Sequence, residues 1–135
     1  ELTRHTTQYG VKLFLDECDR SVSMLTDWNR LSQVLANLLN NAVKFTNKGE
    51  VHFGYQKNGD MVQFYVKDTG IGIPADKIGA IFKRFGKVNN FVQGSGLGLT
   101  LCRMLVDKMG GRIWVRSKEG EGTTFYFTLP HSVKS

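Results

Sequence analysis

Cysteine is scarce in this chain: Cys18 and Cys102 stand far apart, with no CxxC spacing. That excludes a disulfide framework and a cysteine-based metal site, and makes a reducing cytoplasm the plainer setting. No uninterrupted apolar run is long enough to cross a bilayer, and no signal peptide is visible. Internal repeats and low-complexity segments are lacking too. Acidic residues are outnumbered, 12 against 18 basic, giving a net charge of +6. The basic residues form no tract, which speaks against a generic nucleic-acid binder. The balance fits a polyphosphate ligand, an anionic membrane surface or an acidic protein partner. Residues 1–10 are polar and start without Met, so the chain reads as a piece cut from a longer protein. What is present is 135 residues, 41% of them hydrophobic, a natural size for one domain around one core.

Hydrophobic periodicity gives the elements. Residues 11–16 read as a strand, and 21–26 as a short second one. Leu31, Val34, Leu35, Leu38, Leu39, Ala42 and Val43 recur at helical spacing, which predicts an amphipathic helix over 28–45. Thr26 or Asp27 would cap it. Residues 50–56 and 61–67 alternate and are separated by a stretch containing Asn58-Gly59, a strong hairpin signal. A glycine-rich turn spans 68–74. A short helix follows through Ile78, Ile81 and Phe82, then a loop over 85–95. A second long helix over 96–109 ends at Gly110-Gly111. Strands at 112–117 and 123–129 close the domain. The predicted class is α+β: a two-layer α/β sandwich whose mixed, mostly antiparallel sheet of about five strands is covered on one face by about three helices. The order is not an alternating βαβ chain, which disfavours a Rossmann sheet. Residues 1–10 are expected to be an extension, 11–130 the domain and 131–135 a tail.

Three stretches carry chemistry. Asn37, Asn41 and Lys44 lie at i, i+4 and i+7 on a second face of the first helix. Two amides and an ammonium in register suit a hydrated cation bridging a phosphate chain, and a carboxamide oxygen is a hard ligand of the kind Mg²⁺ takes. A solvated helix face would also carry such residues. In Asp68-Thr69-Gly70-Ile71-Gly72-Ile73-Pro74 a carboxylate at a strand end precedes two glycines. A buried carboxylate accepts from an amine such as that of adenine, where guanine offers a carbonyl. Glycine lets backbone approach a flat ring. The bland alternative is a β-turn with a capping Asp. Gly94-Ser95-Gly96-Leu97-Gly98-Leu99 directly precedes the second long helix, whose free N–H groups would face phosphate oxygens. It is not a P-loop, since no Gly-Lys-Ser/Thr follows, and no strand precedes it as a Rossmann fingerprint requires.

The ordered set of all three resembles the catalytic ATP-binding domain of bacterial sensor histidine kinases. That domain belongs to the wider GHKL, or Bergerat-fold, family of gyrase, mismatch-repair and heat-shock chaperone ATPases. Leu31 to Leu35 with Asn41-Ala42-Val43-Lys44-Phe45-Thr46 resembles the family's N box. Asp68 to Gly72 resembles its G1 box, Ile81-Phe82-Lys83-Arg84-Phe85 its F box and Gly94 to Gly98 its G2 box. Gly110-Gly111-Arg112-Ile113-Trp114-Val115 and Gly120-Glu121-Gly122-Thr123-Thr124-Phe125 also fit. The resemblance implies Asn41 as the Mg²⁺ ligand with Asn37 beside it, Lys44 paired with the phosphates and Phe45 against the nucleotide. It implies Asp68 at the adenine amine, Gly70, Gly72 and Ile73 shaping the pocket, and Thr124 or Thr123 nearby through water. Residues 85–98 would form the ATP lid, with Gly94, Ser95, Gly96, Leu97 and Gly98 at the phosphates. After Phe85 the family often has an aromatic and then an Arg. This chain has Gly86 and Lys87, and Lys87 can neutralise charge but cannot fork to two oxygens.

Hydrolysing members of that family place a Glu four residues before the metal-binding Asn, where it can activate water. Asn37 stands at that place here, an amide with no useful basicity. The domain is therefore expected to attack ATP poorly with water and to present it to a nucleophile from elsewhere. The resemblance implies ATP or ADP with Mg²⁺, a dimerisation and histidine-phosphotransfer domain of the same parent, and a response-regulator receiver domain as partners. No nucleic acid is expected. A cytoplasmic domain of a membrane-associated parent is. Two alternatives stand beside it. One is a hydrolysing ATPase or serine kinase of the same fold. The other is a non-catalytic module, either a nucleotide sensor or a basic nucleic-acid binder. His5, His52 and His131 lack the helical context of a phosphoacceptor and read as ordinary histidines. Cys102 reads as a core filler, and Trp28 and Trp114 as packing residues.

Overall fold

The computed structural model describes residues 4–6, 11–16, 27–44, 46, 49–79 and 96–130. In chain order these form β1 (Arg4–Thr6), β2 (Val11–Leu15), α1 (Trp28–Lys44), β3 (Gly49–Asn58), β4 (Met61–Asp68), α2 (Ala75–Ile78), α3 (Gly96–Lys108), β5 (Arg112–Lys118) and β6 (Gly122–Pro130). One six-stranded sheet runs β1-β2-β3-β4-β6-β5. Only the β2–β3 pair is parallel; the other four are antiparallel. This is the expected sandwich with one strand more. The extra strand, β1, falls inside the segment expected to be an extension, and three residues are too few for alternation to show.

Asp27 is the helix cap: its Oδ1 accepts the Arg30 N–H at 3.1 Å, satisfying one of the free donors of the first turn. The apolar stripe of α1 then buries Leu31, Val34, Leu38 and Ala42 against the sheet. Strand alternation supplies the other side of the core. Val51 of β3, Val62, Phe64 and Val66 of β4, and Phe125, Phe127 and Leu129 of β6 all point to the helix face. Phe64 and Phe127 stack at 4.7 Å between ring centroids. The β3–β4 hairpin closes at Asn58 opposite Met61, so its loop is Gly59-Asp60, one residue beyond the Asn-Gly pair. The end of α3 is a Schellman turn, with Gly111 N–H on Val106 O at 3.0 Å and Gly110 N–H on Asp107 O at 3.1 Å. The possible strand at 21–26 and the loop at 85–95 lie outside the described residues.

Among the described residues no helix packs on the opposite face of the sheet, which carries an ionic cluster. His52 shares one ring nitrogen with Asp16 at 2.7 Å and the other with Glu50 at 2.8 Å. Phe14 stacks on its ring, and Tyr65 Oη donates to the second Asp16 oxygen at 2.5 Å. His52 is thus a structural histidine. Trp114 packs as expected, stacked on Tyr126 at 5.4 Å. Trp28 does not: at the mouth of α1 it is 58% exposed. Among the described residues no helix is long and apolar enough to cross a membrane.

Candidate nucleotide site

Asp68 closes β4 on the helix face and is 5% exposed. Its Oδ1 accepts two backbone N–H groups, from Gly70 at 2.9 Å and Thr123 at 3.2 Å. Burial pushes its pKa up to about 6, against the downward pull of those two hydrogen bonds. The group is therefore a carboxylate at neutral pH. Among the described residues Oδ2 has no hydrogen-bond partner. The carboxylate is held by one oxygen and offers the other.

The turn after Asp68 is fastened to the β5–β6 hairpin at several points. Gly120 N–H donates to Ile71 O at 2.8 Å, and Ile73 N–H donates to Ser117 Oγ at 2.8 Å. Gly72 has φ +74°, and a Cβ there would sit 2.2 Å from the Lys118 carbonyl oxygen. The close approach that requires glycine at 72 is thus to protein backbone, where the sequence alone pointed to a ligand ring. Gly122 repeats the device, since a Cβ at its φ of +129° would sit 2.2 Å from Asp68 O. Ile73 is 8% exposed and belongs to the core.

Strand register separates the two candidate threonines. Asp68 pairs with Thr123, and Thr123 is 7% exposed on the helix face with its N–H on the carboxylate. Successive side chains alternate, so Thr124 falls on the face away from the helices, opposite Lys67 and Arg116. Of the two, Thr123 is the one beside the Asp68 carboxylate.

The other end of the site lies on α1. Asn41 is 6% exposed, and its buried Nδ2 has no hydrogen-bond partner among the described residues. Leaving such a group unmade costs about 1–3 kcal/mol, so the position favours a polar ligand. No group of three His, Cys, Asp or Glu side chains among the described residues could hold a metal. A cation here would rely on the Asn41 amide, phosphate oxygens and water. Asn37, one turn earlier, is half-buried and hydrogen-bonds Cys102 of α3. Cys102 also donates to Val34 O at 3.7 Å, is fully buried and has its pKa pushed up by burial to about 12. It is a core thiol bridging α1 and α3, as expected. Lys44 is the last residue of α1, and Gly96, Leu97 and Gly98 open α3. Phe45, Lys87, Gly94 and Ser95 lie outside the described residues.

Sequence reasoning missed Ser117. Its only signal was a hydroxyl on β5 two and four residues after Val115 and Ile113, both of which pack on the core.

Residues 26–133 match the family described as histidine kinase-, DNA gyrase B-, and HSP90-like ATPase. The chain belongs to that family. Among relatives of this ATPase domain, the autoinducer 2 sensor kinase/phosphatase LuxQ of Vibrio parahaemolyticus is 41% identical over 136 residues, covering 90% of this chain and 15% of LuxQ. The catalytic domain of histidine kinase ThkA superposes with a TM-score of 0.80 at 27% identity, covering 98% of this chain and 97% of that one. Full-length ShkA in complex with AMPPNP matches with a TM-score of 0.78 at 32% identity, over 95% of this chain and 27% of ShkA. This ATPase domain therefore spans a small part of the sensor kinases it resembles.

Proposed function

We propose that this chain is the nucleotide-binding half of a two-component sensor kinase. It holds Mg-ATP between α1 and the turn at 68–74, and it presents the γ-phosphoryl group to a histidine on a separate dimerisation domain of the same parent. From there the group passes to an aspartate of a response regulator. The observation that carries the reading is Asp68, a buried carboxylate pinned by one oxygen and open at the other, which matches the exocyclic amine of adenine and repels the carbonyl of guanine.

The chain's own residues bind and orient. Asp68 and Thr123 fix the base. The Asn41 amide is the group that would hold Mg²⁺, with Lys44 beside the phosphates. The ion would neutralise phosphate charge that builds up as the phosphoryl group leaves. Gly96 to Gly98 open α3, whose free N-terminal N–H groups would serve the phosphate chain. The position from which a hydrolysing relative would activate water holds Asn37, whose amide is engaged with Cys102 and has no basicity. Water is therefore a poor nucleophile here, and ATP keeps until the acceptor histidine docks.

Isothermal titration tests this directly. ATP and ADP should bind with a Mg²⁺ requirement, GTP should not compete, and Asp68→Asn should abolish binding. Steady ATP turnover by the isolated chain, or no preference for adenine, refutes the reading.

A further inference from the structure

We infer that Ser117 is a positioning residue that sets the hydrogen-bonding polarity of the purine end, and so its discrimination between adenine and guanine. This rests on Asp68 being the adenine contact proposed above. A hydroxyl has one proton to give and two lone pairs to receive with. Ser117 Oγ donates to Gly122 O at 2.9 Å and accepts the Ile73 N–H at 2.8 Å. Its third neighbour is Thr123 Oγ1, also at 2.8 Å. With the Ser117 proton already on Gly122 O, the shared proton in that third contact must come from Thr123. Ser117 is then saturated, and the Thr123 hydroxyl has no proton left for any other group.

The Thr123 N–H is meanwhile committed to Asp68 Oδ1. The residue next to the carboxylate thus offers a ligand only an acceptor, beside the acceptor that Asp68 Oδ2 already provides. Two neighbouring acceptors suit the amine of adenine, and a water molecule can donate to both Thr123 and a ring nitrogen. They meet the carbonyl of guanine with like polarity. Without the Ser117 hydroxyl the Thr123 proton is released and can turn toward a guanine carbonyl. The Ile73 N–H of the turn loses its partner as well. Ser117 touches no substrate; it acts through Thr123 and Ile73.

The test is titration of ADP and GDP into the full chain with Mg²⁺, for wild type, Ser117→Ala, Ser117→Thr, Thr123→Val and Asp68→Asn. Ser117→Ala should weaken ADP binding about tenfold and cut the ADP-to-GDP preference by about tenfold, the scale of one hydrogen bond left unmade. Ser117→Thr, which keeps the hydroxyl, should restore the preference, and pyrophosphate binding should be unchanged throughout. A purely structural tie would lower Tm and leave the nucleotide preference alone. If Ser117→Ala keeps the wild-type preference while Asp68→Asn loses ADP, the role of Ser117 is overturned and the adenine reading stands. If Asp68→Asn binds ADP like wild type, both fall. Should Ser117→Ala fail to fold, Thr123→Val decides: it removes the polar hydroxyl and leaves Ser117 on Ile73, and an unaltered preference overturns the proposal.

Discussion

Asp68→Asn should make the nucleotide-free domain more stable while destroying its grip on adenine. The carboxylate is 5% exposed, and burial lifts its pKa from an ordinary 3.8 to about 6 in spite of two backbone hydrogen bonds. At 1.36 kcal/mol for each tenfold step in the proton equilibrium, keeping the group ionised costs the fold about 3 kcal/mol at neutral pH. The folded value is the higher one, so the native state binds the extra proton between the two values. Stability from this group is full below the unfolded value and is lost as pH rises through about 6. Asn keeps the shape and the Oδ1 acceptor for Gly70 and Thr123, and it carries no charge. The gain at pH 7.5 should be about 2–3 kcal/mol, roughly 10 °C in Tm for a domain of this size. The fall in stability between about pH 4 and pH 6 should vanish with it. Adenine would then meet an N–H where it now meets an oxygen, a loss of roughly 100-fold or more in affinity. Urea unfolding at pH 4.5 and 7.5, with ADP titration of the same samples, measures both effects. A variant no more stable than wild type at pH 7.5, with an unchanged pH slope, would refute the claim that this carboxylate is held charged against its desolvation.

Gly72→Ala should lose about 2–4 kcal/mol, because the methyl meets the Lys118 carbonyl at 2.2 Å in a left-handed conformation, and thermal melting will show it. Asn41→Ala should remove the Mg²⁺-dependent part of ADP affinity and leave adenosine binding intact; titration with and without Mg²⁺ separates the two. Burial alone would pull the pKa of His52 down, but its hydrogen bonds to Asp16 and Glu50 outweigh that and hold it above 6.5. The stability this adds is present in full below that value and is lost as pH rises through the folded pKa. His52→Gln should flatten that dependence in urea melts from pH 6 to pH 9.

Much of this was legible because its cause is local. The α1 stripe follows from helical spacing, and the cap needs only Asp27 and Arg30, three residues apart. Asp68 announces itself by standing between an alternating strand and two glycines. The features that escaped depend on distant partners. Ser117 meets Ile73 across 44 residues, and His52 meets Asp16 across 36. Neither pairing shows until the strand order is known. The choice between Thr123 and Thr124 is the sharpest case, because one step in register moves a side chain to the other face of the sheet. Local spacing cannot supply that step. The β4–β6 ladder does, by setting Thr123 opposite Asp68.

The fastening of the 68–74 turn to the β5–β6 hairpin has a consequence for how a nucleotide is received. The Ile71 and Ile73 bonds and the close backbone approaches at Gly72 and Gly122 tie that turn to the hairpin before any ligand arrives. An arriving base finds its walls already standing, so that half of the encounter costs little ordering entropy. Chain adjustments that accompany association then belong to the triphosphate half, and analogues altered only in the purine should differ in how fast they leave rather than in how fast they enter.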